Sequence, residues 1–104
     1  MSRTVSVAAL REEMKSVRPP QLIDVRTASE FVDGHIPCAI NIPMDQIAAR
    51  RPELRLEDGV VLICKVGIRA KIVAWRLGRR CAVRVLKGGT DAWQRDGLEL
   101  VKSS

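Results

Sequence analysis

The stretch Val60-Val61-Leu62-Ile63-Cys64-Lys65-Val66-Gly67-Ile68-Arg69-Ala70 decides how the rest of this chain is read. Its first four residues are apolar and three of them are β-branched, the pattern of a strand buried on both faces at the centre of a parallel sheet. The run stops at Cys64. After four intervening residues, Arg69-Ala70-Lys71-Ile72-Val73-Ala74-Trp75-Arg76-Leu77 has helix-forming composition and ends at Gly78, a C-cap signal. Cys64 therefore falls between a strand end and a helix start. Open α/β sheets bind ligands off the carboxyl ends of their strands, where the following helix offers unpaired N–H groups and the positive end of its dipole. A short loop there turns its amides inward and forms an anion nest. A thiolate in that nest is stabilised by the amides, the helix end and two cations, Lys65 and Arg69, so the Cys64 pKa is expected below the free-thiol value of about 8.5. Cys64 is the candidate nucleophile. Gly67 fits the same loop, which needs a residue tolerant of positive φ or close backbone approach.

Working outward, Val83-Arg84-Val85-Leu86 reads as the next strand, Gly88-Gly89 as a turn, and Thr90 as the cap of a short helix around Trp93 that ends by Gly97. Upstream, Glu57-Asp58-Gly59 is a turn into the central strand, and Met44-Asp45-Gln46-Ile47-Ala48-Ala49-Arg50 is predicted helical. Gly34 to Pro43, punctuated by two prolines, suits an irregular crossing with a short strand at Ala39-Ile40. Leu22-Ile23-Asp24-Val25 is another apolar strand, and Thr27-Ala28-Ser29-Glu30 has capping-box spacing for a helix ending before Gly34. Near the start, Thr4-Val5 is a strand candidate. Ser6 caps a helix through Met14 with Val7, Leu10 and Met14 on one face, and Pro19-Pro20 ends anything helical. This alternation predicts an α/β fold, a parallel sheet of about five strands with helices on both faces.

At 104 residues and 46% hydrophobic content, residues 1–104 are expected to form one domain with one core. No apolar run approaches the roughly 20 residues of a membrane span, and Met1-Ser2-Arg3-Thr4-Val5 does not begin a signal peptide. The expectation is a soluble cytoplasmic protein. Cys38, Cys64 and Cys81 are odd in number and, with the single His35, lack zinc-site spacing, so reduced thiols and no metal are expected. The net charge of +6 reads as a solvated basic surface that draws small anions. An acidic protein or nucleic acid is the alternative, but only Phe31, Trp75 and Trp93 are aromatic and all sit in apolar settings.

Three blocks carry a resemblance. Cys64-Lys65-Val66-Gly67-Ile68-Arg69 resembles the six-residue active-site loop of the rhodanese family. Leu22-Ile23-Asp24-Val25-Arg26, Glu30-Phe31 and Gly34-His35-Ile36-Pro37-Cys38-Ala39-Ile40-Asn41-Ile42-Pro43 are similar to that family's first signature. Leu86-Lys87-Gly88-Gly89-Thr90-Asp91-Ala92-Trp93 with Gly97-Leu98 is similar to its closing one. The blocks keep the family's order and cover most of the chain, and they depart from it at Cys38, where the family usually has glycine. The resemblance implies a rhodanese-like fold and a sulfurtransferase without a cofactor. Its donor would be a small anion such as thiosulfate, and its acceptor cyanide or a thiol, including a protein thiol such as thioredoxin. Cys64 would carry the sulfur as a persulfide, with Lys65, Val66, Gly67, Ile68 and Arg69 binding the substrate. No nucleic acid or membrane partner is implied, and the chain would act as a monomer or weak dimer. Two alternatives stay open: a cysteine-dependent phosphatase or arsenate reductase of related fold, and a non-catalytic rhodanese-like binding module. The related phosphatases place five residues between cysteine and arginine, against four here.

Other residues carry two readings each. Asp24 and Arg26, with Glu30, are candidates for supporting the substrate, or for an ion-pair network that fixes their loop. His35 reads as a turn histidine bonded to backbone rather than a base. Cys81 reads as packing, and Cys38 as structural or as a second redox-active thiol able to pair with Cys64 if their Cα atoms come within about 7 Å. Gly88-Gly89 would let one loop approach the Cys64 loop. Trp75 and Trp93 suit core or partial burial.

Overall fold

A computed structural model of the protein describes residues 3–78 and 81–102. The Arg79-Arg80 pair and Met1-Ser2 fall outside the described residues. In chain order the elements are β1 (Thr4–Val5), α1 (Val7–Met14), β2 (Gln21–Asp24), α2 (Ala28–Asp33), β3 (Ile40–Asn41), single 3₁₀ turns at Met44–Gln46 and Arg51–Glu53, β4 (Val60–Ile63), α3 (Ile68–Leu77), β5 (Val83–Leu86) and α4 (Gly89–Arg95). The five strands form one sheet of order β1-β5-β4-β2-β3, every pair parallel.

The apolar run Val60–Ile63 is the central strand, and all four of its residues are fully buried. Because alternate side chains point to opposite faces, Val60 and Leu62 enter one core with Ile23, Val73, Val83 and Val85. Val61 and Ile63 enter the other with Leu10, Leu22, Ile36, Leu86 and Trp93. Helix α3 seals the first face through Ala70, Val73 and Ala74, and α1 seals the second through Val7 and Leu10. Two predicted caps form as read. The Ser6 hydroxyl accepts from the Ala9 amide at 3.1 Å, and Thr27 and Glu30 complete a reciprocal capping box.

Several boundaries move. Met44–Arg50 is no α-helix: it holds one 3₁₀ turn followed by hydrogen-bonded turns. Seven residues gain little from helix propagation; the Met44 amide donates to the Val25 carbonyl at 3.0 Å, which fixes where the segment begins. β3 starts at Ile40 because its ladder with β2 pairs Ile23 with Ile40 and Asp24 with Asn41. Thr90 is not the cap of α4. Gly88, left-handed at φ 76°, takes that position, and Thr90 lies buried in the first turn. Trp93 is in the core, its Nε1 donating to the Glu99 carbonyl at 3.0 Å. Trp75, by contrast, is 80% exposed. Among the described residues, no helix is long and apolar enough to cross a membrane.

Candidate active site

Cys64 follows directly on β4 and is 1% exposed. The chain reverses through Lys65 and Val66 to Gly67, which adopts φ 104° and caps α3. That left-handed turn brings the Gly67 amide back onto Cys64, donating to Sγ at 3.0 Å. A non-glycine residue at this φ would be strained, so the turn that supplies the amide depends on Gly67. The Lys71 amide then closes on the Gly67 carbonyl at 3.0 Å and starts the helix.

The second wall is the Gly88-Gly89 turn, close against the loop as expected. The amides of Thr90 and Asp91 donate to the carbonyls of Cys64 and Lys65 at 2.9 and 3.0 Å. Gly89 has φ 58°, and a Cβ on it would run into the Cys64 carbonyl oxygen. The first turn of α4 thus takes up the outward carbonyls of the loop, and the bond from Gly67 holds the sulfur side inward.

Lys65 and Arg69, the two cations expected beside the thiol, each face a carboxylate. Arg69 makes a bidentate pair with Glu30, with N–O distances of 2.7 and 3.0 Å. Those hydrogen bonds from Arg69 are the main reason the Glu30 carboxyl is held down at about 2. In return Glu30 raises the Arg69 pKa, helped by the charges of Cys64 and Asp24. Lys65 Nζ lies 3.9 Å from Asp91 Oδ1. Both cations of the loop are therefore balanced by carboxylates from other elements. Val66 and Ile68 point outward, 48% and 65% exposed.

Asp24 and Arg26 are buried and paired at 2.8 Å, and Arg26 Nη2 reaches the Gly34 carbonyl at 2.7 Å. Asn41 Nδ2 donates to the carbonyls of Asp24 and Arg26, both at 3.0 Å. This is the loop-fixing network, placed at the carboxyl end of β2 where β4 delivers Cys64. His35 is likewise structural: its Nδ1 lies 2.8 Å from the Phe31 carbonyl, its ring stacks on Phe31, and its backbone pairs with Val101.

A depression of about 150 Å³ beside the loop is lined by Arg26, Glu30, Lys65, Thr90, Asp91 and Gln94 among others. Asp91 was not anticipated, because nothing local to it signals a lysine 26 positions away. Among the described residues no group of three or more His, Cys, Asp or Glu is placed to hold a metal ion.

Cys38 lies elsewhere. It lines a separate apolar cavity of about 420 Å³ with Met14, Pro20, Gln21, Leu22 and Arg55, at the amino end of the sheet, where Gln21 pairs with Val60. Four residues of strand separate that level from Cys64, roughly 13 Å at about 3.3 Å per residue, so the pairing with Cys64 is ruled out in this fold. Cys38 is also the only non-glycine residue with positive φ among those described, at 73°, which accounts physically for glycine as the usual family residue there. Cys81 is buried, its Sγ 3.0 Å from Arg51 Nη2.

Comparison with known proteins agrees with this geometry. The chain is 32% identical over 103 residues to a sulfurtransferase of Allochromatium vinosum, covering 97% of this chain and 96% of that protein. A rhodanese-related protein from Thermoplasma volcanium superposes with a TM-score of 0.86 at 25% identity, covering 97% of this chain and 99% of the other. The human single-domain sulfurtransferase TSTD1 superposes with a TM-score of 0.73 at 31% identity, covering 91% and 97%. Residues 6–96 match the rhodanese-like domain, and the chain belongs to that family.

Proposed function

We propose that the protein is a cytoplasmic sulfurtransferase that carries sulfane sulfur on Cys64. The observation that carries this reading is the buried Cys64 sulfur with the Gly67 amide 3.0 Å away and aimed at it, in a loop with four residues between Cys64 and Arg69. The Cys64 thiolate attacks the outer sulfur of a donor such as thiosulfate. The S–S bond of the donor breaks, its electron pair leaves with sulfite, and the enzyme holds a persulfide. Cyanide or a thiol then attacks the outer sulfur and Cys64 returns as thiolate. Gly67 N–H stabilises negative sulfur throughout, and the three unpaired cysteines suit a reducing compartment.

The short loop also argues against phosphoryl transfer. One residue fewer than the related phosphatases removes up to about 3.5 Å of chain from the ring. Near-attack geometry tolerates little displacement, a 1 Å error costing roughly 100-fold.

Intact-mass measurement after thiosulfate tests the proposal. The wild type should gain one sulfur atom and lose it to cyanide with formation of thiocyanate, Cys64→Ser should do neither, and neither protein should hydrolyse aryl phosphates. Full turnover by Cys64→Ser, or a phosphatase activity that this substitution abolishes, would overturn it.

A further inference from the structure

Helix α3 is apolar on two faces. Ala70, Val73 and Ala74 pack on the sheet, whereas Ile68, Ile72 and Trp75, spaced four and three residues apart, form a second stripe that is 65%, 39% and 80% exposed. Such spacing keeps them on one side of the helix. At about 1.5 Å per residue the stripe runs roughly 10 Å. Val66, 48% exposed, continues it into the Cys64 loop. Contiguous exposed apolar surface built around a tryptophan is the composition of a contact site.

The charges beside the stripe define what it contacts. At about 100° per residue, Lys71 lies to one side of Ile68 and Arg76 to the other. Both are exposed. Residues 59–90 contain eight Lys and Arg and no Asp or Glu. Within that span Lys65, Arg69 and Arg84 are already paired, with Asp91, Glu30 and Glu13. Lys71 and Arg76 have no carboxylate partner among the described residues. An apolar centre between unneutralised cations complements an acidic protein surface. A second copy, itself carrying +6, would set like charges together. Nucleic acid would meet the cations but leave Ile68 and Ile72 against phosphate.

We propose that Val66, Ile68, Ile72 and Trp75 dock an acidic protein that presents a cysteine thiol to the Cys64 persulfide, an inference that rests on the sulfur-transfer reading. The acceptor thiolate attacks the outer sulfur and the bond from that sulfur to Cys64 breaks. The sulfur leaves as the acceptor's persulfide, Cys64 is left as thiolate, and no external oxidant or reductant takes part.

The test compares acceptors on persulfide-loaded full-length protein: reduced thioredoxin as an acidic protein thiol, with cyanide and dithiothreitol as small acceptors. Trp75→Ala and Ile72→Ser, both surface changes, should lower kcat/KM for thioredoxin tenfold or more and leave both small acceptors within twofold. Raising salt to about 0.5 M should slow the protein acceptor and leave dithiothreitol unaffected. Unchanged thioredoxin kinetics in both variants would overturn the proposal, as would equal losses with cyanide, which would mean that the substitutions disturb the loop. A blue shift of Trp75 emission on vesicles of phosphatidylglycerol and phosphatidylcholine, absent with thioredoxin, would assign the face to a membrane surface instead. Failure of the wild type to form thiocyanate would mark failure of the sulfur-transfer reading itself.

Discussion

Glu30→Gln isolates the clamp on Arg69. Glutamine can still accept from the Thr27 amide and so keeps the capping box, but it removes the charge that pairs with Arg69. A carboxyl held at about 2 instead of 4.5 would represent roughly 3 kcal/mol in a dry site. About a third of each side chain is exposed, 33% for Arg69 and 34% for Glu30, so solvent screening reduces the net contribution to about 1 kcal/mol. In a chain of this size that lowers Tm by about 4–8 °C. The pH dependence has a definite sign. The folded carboxyl titrates below its unfolded value, so the stabilisation is fully present above pH 4.5 and is lost as pH falls through about 2. Urea unfolding of both proteins should give a gap of about 1 kcal/mol at pH 6 that narrows steadily below pH 4.5. Activity should move the other way. Freed from Glu30, Arg69 can attract a dianionic donor, and a unit charge on the order of 6 Å from a dianion in a water-like dielectric contributes about 1.4 kcal/mol, or roughly tenfold in kcat/KM. Thiosulfate transfer should rise by that factor at low salt, while a neutral persulfide donor is unaffected. Equal stability at pH 6 together with unchanged thiosulfate kinetics would refute the idea that Glu30 holds Arg69 back.

Gly89→Ala should destabilise by about 2–4 kcal/mol, from left-handed strain and crowding of the Cys64 and Lys65 carbonyls, and should impair sulfur loading by shifting the loop; wild-type thermal unfolding would contradict the packing described. Cys38→Gly should raise stability by about 0.5–1 kcal/mol, because relief of the αL penalty exceeds the added unfolded-state entropy. It should also leave thiosulfate turnover unchanged under mild oxidation, and reversible inactivation of the wild type that this change prevents would refute the separation of Cys38 from Cys64.

What the sequence determined by itself is what acts over a few residues. The buried run Val60–Ile63, the Ser6 cap, the Thr27–Glu30 box and the Gly67 turn onto Cys64 follow from strand burial, short-range hydrogen bonding and the steric freedom of glycine. With the order of the three signature blocks, they made the fold and the candidate nucleophile legible. Only the tertiary structure decided which carboxylates meet the loop cations. Glu30 and Asp91 come from helices far along the chain, and any of the 12 acidic residues could serve until the topology gathers particular ones at the carboxyl edge of the sheet. The same holds for Cys38, whose neighbours in sequence do not say at which end of a strand it lies. Helix α3 shows the limit most plainly. Its apolar residues cover both the side bearing Ala70, Val73 and Ala74 and the side bearing Ile68, Ile72 and Trp75. Periodicity supplies two candidate faces, and only packing against the sheet selects the one that leaves Trp75 in solvent.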